Sequence, residues 1–179
     1  MKKDSLFVTF SGIIESGVFD NFKSLSLSFS IVAGSDWKRM AGERAGQTQI
    51  GSCKDEKIVW NYPFEIAFET TVLGGWPQLI VVLYDTDFFG KPYVQGYGNI
   101  HLPTHGGPQT RRMRLFCPKP RSVISGILGY FQGFIAEYRD SERVLAYGDG
   151  REVTRTKTVG YIDIKIETTK YNFGKFGYE

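Results

Sequence analysis

Residues 23–32 read KSLSLSFSIV, and this stretch decides the fold class. Large apolar residues alternate there with serines at every second position; they are Leu25, Leu27, Phe29 and Ile31. Successive side chains of a strand point to opposite sides, so a period of two places all four on one face. The stretch therefore predicts a half-buried β-strand, with its apolar face in a core and its serines toward water.

The same signal recurs toward both ends of the chain. Residues 6–14 carry Leu6, Val8 and Phe10 on one side, and residues 161–167 alternate isoleucines with charged residues. Between them lie further short stretches of β-branched and aromatic residues: 58–60, 64–70, 78–85, 94–102 and 111–116. About eight strands with short turns predict an antiparallel sandwich or barrel. Residues 79–84, LIVVLY, are apolar at both odd and even positions, which is typical of a central strand covered on both faces.

Residues 122–134 break this pattern. Val123, Ile127, Phe131 and Phe134 are spaced by four, four and three, as on one stripe of a short helix. Three glycines in the segment weaken a helix by about 1 kcal/mol each relative to alanine. We expect a short helical insertion in a chain whose residues 1–179 form one domain.

Composition and charge narrow the class of protein. The chain is 41% hydrophobic and 23% charged with a net charge of +3, which is ordinary for a globular protein and too small to imply a nucleic-acid partner. No run approaches 18 apolar residues, and the first residues do not resemble a signal peptide, so we expect a cytosolic chain with at most peripheral membrane contact. Cys53 and Cys117 are far apart, and two reduced thiols are favoured over a disulfide.

The sequence shows no arrangement of residues that is typical of a catalytic site. The chain has two histidines, His101 and His105, and no His, Cys or acidic partner lies within ten residues on either side. We expect both to be exposed loop residues. No nucleophile elbow, P-loop or zinc-protease motif is present. The sequence predicts no catalytic residue, no cofactor and no enzyme activity.

Asp85 and Asp87 are the candidates for calcium, since they lie two apart after a run of β-formers in LYDTDFFGKPYVQGYG, residues 83–98. Calcium takes six to eight oxygen ligands. The residues after Asp87 bring Lys91 and no acid, and the loop 34–46 offers only two acids among three basic residues. Two carboxylates beside cations fall short of a calcium cage, so we expect no calcium binding.

A basic run with no acid covers residues 109–121, QTRRMRLFCPKPR. Its cations are Arg111, Arg112, Arg114, Lys119 and Arg121. On a strand Arg112 and Arg114 share one face, while Arg111 shares the other with two apolar residues. Such a strand can bind phosphates or an acidic partner, or it can be a solubilising surface strand. It lacks the interleaved aromatic residues that single-stranded nucleic acids stack on.

Five blocks span nearly the whole chain: GSDWKRMAGERAGQTQI at 34–50, VWNYPFEIAF at 59–68, GWPQLIVVLYDTDFFG at 75–90, GYGNIHLP at 96–103 and GDGREVTR at 148–155. Together they resemble the B9 domain family. The motif positions are Gly75, Trp76, Pro77, Gly90, Gly96, Tyr97 and Gly98. We interpret Trp76 and Pro77 as a structural anchor at the start of the central strand.

The resemblance implies a C2-like β-sandwich without enzyme activity. It also implies a scaffold of the ciliary transition zone that binds other B9 domain proteins and components of the Meckel-syndrome complex and supports ciliogenesis and the ciliary diffusion barrier. The implied location is the cytoplasm, cytoskeleton, basal body and transition zone. The alternative is a calcium-independent, peripheral phospholipid-binding module that uses the basic run for weak contact with anionic membranes.

Overall fold

The computed structural model describes residues 5–20, 22, 24–86, 90–118 and 156–177. They form ten strands: β1 (Leu6–Phe19), β2 (Ser24–Val32), β3 (Lys38–Gly42), β4 (Ala45–Gln47), β5 (Gly51–Lys54), β6 (Lys57–Thr70), β7 (Gln78–Thr86), β8 (Pro92–His101), β9 (Gly107–Pro118) and β10 (Thr156–Tyr171). A 3₁₀ turn, Phe173–Phe176, follows β10. Every described strand pair is antiparallel, so the all-β antiparallel prediction is confirmed.

The strands form two layers that close on each other. One layer has the order β3-β6-β1-β10-β9, and the other has β8-β7-β2 with β4 and β5 beside β2. At one side the layers are joined by the register pair Tyr97 and Phe116 between β8 and β9. At the other side β5 bridges β2 and β6 with short pairings. The result is a flattened sandwich with a single interior.

The period-two stretches supply this interior. Leu6, Val8 and Phe10 of β1 are buried. So are the four apolar residues of β2 and the alternating isoleucines of β10: Leu25, Leu27, Phe29, Ile31, Ile162, Ile164 and Ile166. All of them belong to one core cluster that both layers share. The predicted faces of these three strands are therefore confirmed.

The central strand β7 is covered on both sides, as its composition predicts. Leu79, Val81 and Leu83 face the main core. Ile80, only 1% exposed, belongs to a second cluster on the opposite face. The prediction that the serines of β2 face water is wrong for Ser26 and Ser30, each 8% exposed. Their face of β2 continues the second face of β7, so the larger neighbours Tyr84 and Ile80, directly opposite in register, shield these small side chains.

Strand boundaries depart from prediction where turns and polar strands intervene. The expected strands 58–60 and 64–70 form one strand, β6. Asn61 takes a left-handed conformation (φ 47°) between them, and the pairing of β6 with β1 shifts register there without ending. Three short strands, β3, β4 and β5, were not expected because most of their residues are exposed and carry no apolar alternation. The helical insertion at 122–134 lies outside the described residues.

Two tryptophans and two glycines fasten the loops at one end of the sandwich. The Trp37 and Trp76 rings meet edge to face, with centroids 5.0 Å apart. The Trp37 indole donates a hydrogen bond to the carbonyl of Gly74 (2.7 Å), and the Trp76 indole donates to that of Leu102 (2.8 Å). Each indole N–H, which would be costly to bury unpaired, thus has a partner on a different loop.

Glycine is required where these loops cross. The backbone N–H of Gly34 donates to the carbonyl of Gly75 at 2.8 Å. Gly75 has φ of +65°, and a Cβ there would lie 2.7 Å from the Cα of Gly34. We call Gly34, Trp37, Gly75 and Trp76 the tryptophan clamp. The Trp76 ring also packs edge to face against Phe10 of β1, with centroids 6.0 Å apart.

We predict that Gly75→Ala lowers the free energy of unfolding by more than Gly90→Ala does. Both positions have positive φ, at +65° and +78°, and a left-handed alanine costs about 1–2 kcal/mol. Only at Gly75 does the added methyl also collide with backbone, whereas at Gly90 nothing lies within 4 Å. Urea unfolding of both variants measures the difference. Equal losses would contradict the close approach of the two loops.

Candidate functional site

Asp85 ends β7 with both carboxylate oxygens engaged. Its Oδ1 accepts a hydrogen bond from the backbone N–H of Thr86 (2.7 Å), and its Oδ2 accepts one from the Tyr93 hydroxyl (3.1 Å). Tyr93 lies opposite Asp85 in the β7–β8 register, so the aspartate fastens the end of this hairpin. Asp87 lies outside the described residues. Among the residues that the structure describes, no three His, Cys, Asp or Glu side chains form a group able to hold a metal ion.

We predict that calcium does not bind at Asp85. Titration with millimolar calcium should give no heat by calorimetry, because the two carboxylate oxygens already serve the hairpin. Asp85→Asn should lower the free energy of unfolding by about 1 kcal/mol, equally with and without calcium. A micromolar calorimetric site that Asp85→Asn removes would contradict this assignment.

The basic strand is less positive in three dimensions than in the sequence. Asp163 of β10 lies directly opposite Arg112 of β9. The Arg112 guanidinium donates to both carboxylate oxygens of Asp163, at 2.8 and 3.1 Å, and lies 4.0 Å over the Tyr161 ring. The hydrogen bond to Asp163 raises the pKa of Arg112. The run is free of acid along the chain, but the neighbouring strand supplies one.

The remaining cations of this run do not gather into one described site. Arg111 donates to the side-chain oxygen of Gln109 at 2.8 Å and is exposed. Arg114 lies beside Arg112 on the exposed face, as the strand period predicts, opposite Tyr161. Lys119 and Arg121 lie outside the described residues. The described part of the run therefore presents two exposed arginines and one that is neutralised.

The residues of the family motif GYG at 96–98 are used in packing between strands. A Cβ on Gly96 would lie 2.8 Å from Val159 Cγ2, and one on Gly98 would lie 2.7 Å from Met113 Sδ. The two glycines let β8 approach the strands of the other layer. Tyr97, 1% exposed, packs between them against Phe116 in the second cluster. These residues therefore hold the layers together.

The histidines and cysteines are separate from one another. His101 and His105 are both exposed, as predicted, and the only contact shown for either ring among the described residues is between the His105 Nδ1 and the Thr104 hydroxyl (3.3 Å). Cys53 is exposed and Cys117 is half-buried, and no disulfide joins them. Burial raises the pKa of the Cys117 thiol, and the nearby Lys157 partly opposes this shift. A raised pKa keeps a thiol protonated and unreactive.

The surface feature that the sequence did not reveal is a depression on the outer face of the β6-β1-β10 layer. Its volume is about 700 Å³. Its floor is formed by the small residues Ser11 and Gly12 with Ile13, and Glu65 and Glu167 stand at its sides. We call it the outer groove. No sequence signal marks it, because its residues come from strands far apart in the chain.

The described architecture defines a class before any relative is considered. It is an antiparallel β-sandwich whose motif residues are used in packing and whose polar residues form no assembled reactive centre within the described ranges. No described helix has the length and apolar character needed to cross a membrane.

Comparison with known proteins places the chain in a family. The model of the family described as "Ciliary basal body-associated, B9 protein" (B9-C2) matches residues 8–169, and the chain belongs to this family. The predicted B9 membership and C2-like sandwich are thereby confirmed. The family is one of ciliary proteins, not of enzymes.

Individual relatives agree with this assignment. The chain is 37% identical to B9 domain-containing protein 1 of Xenopus laevis over 94% of this chain and 86% of that one. It is 34% identical to the human protein of the same name, with 94% and 84% covered. Human B9 domain-containing protein 2 is 28% identical, with 87% and 89% covered. Among solved structures, a C2 domain of plant extended synaptotagmin 1 matches with a TM-score of 0.48 at 11% identity, covering 92% of this chain and 95% of that one.

Proposed function

We propose that this protein is a non-enzymatic scaffold of the ciliary transition zone, formed by a single B9 domain. In this role it binds paralogous B9 domain proteins and components of the Meckel-syndrome complex, and supports ciliogenesis and the ciliary diffusion barrier. Its location would be the cytoplasm and cytoskeleton at the basal body and transition zone. The observation that carries the proposal is the match to a ciliary basal body-associated family over residues 8–169.

The exposed surface supports a role in protein binding. Several large apolar side chains lie on the outside of the sandwich, among them Ile13, Met40, Val59 and Tyr171, which are 41–57% exposed. Side chains of this kind contribute to a partner interface where they form a contiguous patch rimmed by polar groups. The glycines and aromatic residues of the family motif are used inside the fold, which leaves the outer faces for partners.

The phospholipid alternative is less well supported. It needs a cationic surface, but Arg112 is bound to Asp163 and the Glu65–Glu167 side of the same layer is acidic. Anionic membranes attract about 1 kcal/mol per basic residue near the surface, so the two exposed arginines in the described part of the run give weak contact. We therefore retain membrane contact only as an addition to partner binding.

The proposal predicts that the tagged chain, expressed in ciliated cells, concentrates at the base of the cilium and recovers other B9 domain proteins in a pull-down. An unrelated C2 domain with the same tag serves as the control. Uniform cytoplasmic staining together with failure to recover any B9 domain protein would contradict the proposed function.

A further inference from the structure

Two adjacent depressions share three residues of β6: Pro63, Phe64 and Glu65. The first is the outer groove, on the exposed face of the layer. The second is a slot of about 220 Å³ between β6 and β4, which we call the aromatic slot. Its walls include Phe29, Tyr62 and Phe64, and the Phe29 ring contacts the other two at centroid distances of 5.6 and 5.9 Å.

The aromatic slot exists because the sheet is interrupted there. On that edge β6 pairs with β5 at residues 57–58 and with β3 at residues 66–69, and the stretch between them has no partner strand among the described residues. Gly46 of β4 faces this gap, where a Cβ would lie 2.8 Å from the Phe29 ring. An apolar cavity of about 150 Å³ is enough to hold benzene, so the slot has room for one bulky side chain.

The outer groove carries negative charge in one row across three strands. Ser11 of β1 is the register partner of both Glu65 on β6 and Glu167 on β10. Neighbouring strands lie about 4.8 Å apart, so the two glutamates flank a small serine with their backbones about 10 Å apart. Neither carboxylate forms an ion pair with a described residue, and the nearby Lys165 is held by Glu15 at 2.8 Å.

The next row of the same face combines apolar side chains with a paired cation. Ile13, 41% exposed, lies opposite Pro63 on β6 and opposite Lys165 on β10. A ligand on this face would therefore meet carboxylates in one row and, in the next, an apolar surface beside a lysine that Glu15 already holds, with the aromatic slot beyond β6. The alternative docking position, the outer edge of β3, is unsuited to strand addition because it carries Lys38 and Arg39 and an irregularity before Ala41.

We propose that the outer groove and the aromatic slot together bind an extended, basic segment of a partner protein. A lysine or arginine of the segment lies between Glu65 and Glu167, and a bulky apolar residue enters the slot. Charge complementarity selects this occupant over an acidic peptide or an anionic lipid, since both would place anions beside two carboxylates that have no ion-pair partner among the described residues. The assignment rests on the proposed scaffold function only for the statement that the segment belongs to a ciliary protein.

The binding test uses the whole chain and two ten-residue peptides. One alternates arginine or lysine with valine and phenylalanine, and the other has glutamate in place of every basic residue. The basic peptide should bind by calorimetry and weaken as salt is raised, while the acidic one should not bind. Equal binding of the two peptides, or no binding of the basic one, would overturn the proposal.

Variants then locate the site. Glu65→Gln combined with Glu167→Gln should weaken the basic peptide about tenfold, the loss expected for removing charge-assisted contacts. Gly46→Ala, whose added Cβ would lie 2.8 Å from the Phe29 ring and 3.1 Å from the Tyr62 hydroxyl, narrows the aromatic slot and should weaken peptide binding as well. Glu69→Gln is the matched control, because it removes a carboxylate from the same face of β6 outside both depressions and should leave affinity unchanged. Thermal unfolding verifies that each variant is folded, and loss of binding by Glu69→Gln equal to that of the double variant would reject this site.

The same variants separate this inference from the proposed function. If the wild-type chain recovers B9 domain proteins from ciliated cells, and the Glu65→Gln and Glu167→Gln double variant recovers them equally and binds the basic peptide as tightly as the wild type, the groove assignment is wrong and the scaffold function stands. If the basic peptide binds at the groove but no B9 domain protein is recovered, the site is correct and the scaffold function fails.

Discussion

The contact between Trp37 and Trp76, over the crossing of Gly34 and Gly75, is the constraint on which the sandwich depends. The two rings lie 5.0 Å apart and extend to Phe68 of β6 and Phe10 of β1, with centroids 6.0 Å apart in both cases. Their indole groups hold carbonyls in two loops. The clamp thus joins the loop after β2, the loop before β7, the end of β8 and two strands of the other layer. Because aromatic rings bury large areas, this one cluster contributes both apolar burial and directional hydrogen bonds where the layers meet.

The inner and outer faces of the two layers differ in character because the layers close on each other. Inside, the apolar residues of both layers form one core, and outside β7 a second cluster forms around Ile80 and Tyr97. The glycines of the GYG motif allow β8 to close on the other layer. The outer face of the β6-β1-β10 layer stays accessible, and there the carboxylates of Glu65 and Glu167 lie beside the apolar Ile13 and Pro63. The proposed scaffold function depends on these outer surfaces, and the family to which the chain belongs is ciliary basal body-associated.

Local periodicity made the strands predictable, while pairing between distant residues did not follow from it. Leu25 to Ile31 and the isoleucines of β10 could be assigned to a core because one buried face imposes a period of two. The partnership of Arg112 with Asp163 joins residues 51 apart, and the row of Glu65, Ser11 and Glu167 depends on the register of three strands. Ser26 and Ser30 are buried by Tyr84 and Ile80 of β7, which the local sequence around the serines does not indicate. The family was inferred from whole sequence blocks. Such blocks are characteristic of a fold and its long-range pairings, but they do not reveal the geometry of those pairings.

Hydrogen exchange of the indole N–H groups tests the role of the clamp most directly. Trp60, whose indole donates to the buried carbonyl of Leu25 at 3.0 Å, provides an internal reference within the core. If the clamp holds the layers together, the indole protons of Trp37 and Trp76 should exchange as slowly as that of Trp60. Exchange of all three protons would then require global unfolding, and the free energy derived from it would equal the free energy of unfolding. Rapid exchange of Trp37 and Trp76 while Trp60 stays protected would show that the clamp opens locally, and would contradict its place as the constraint on which the fold depends.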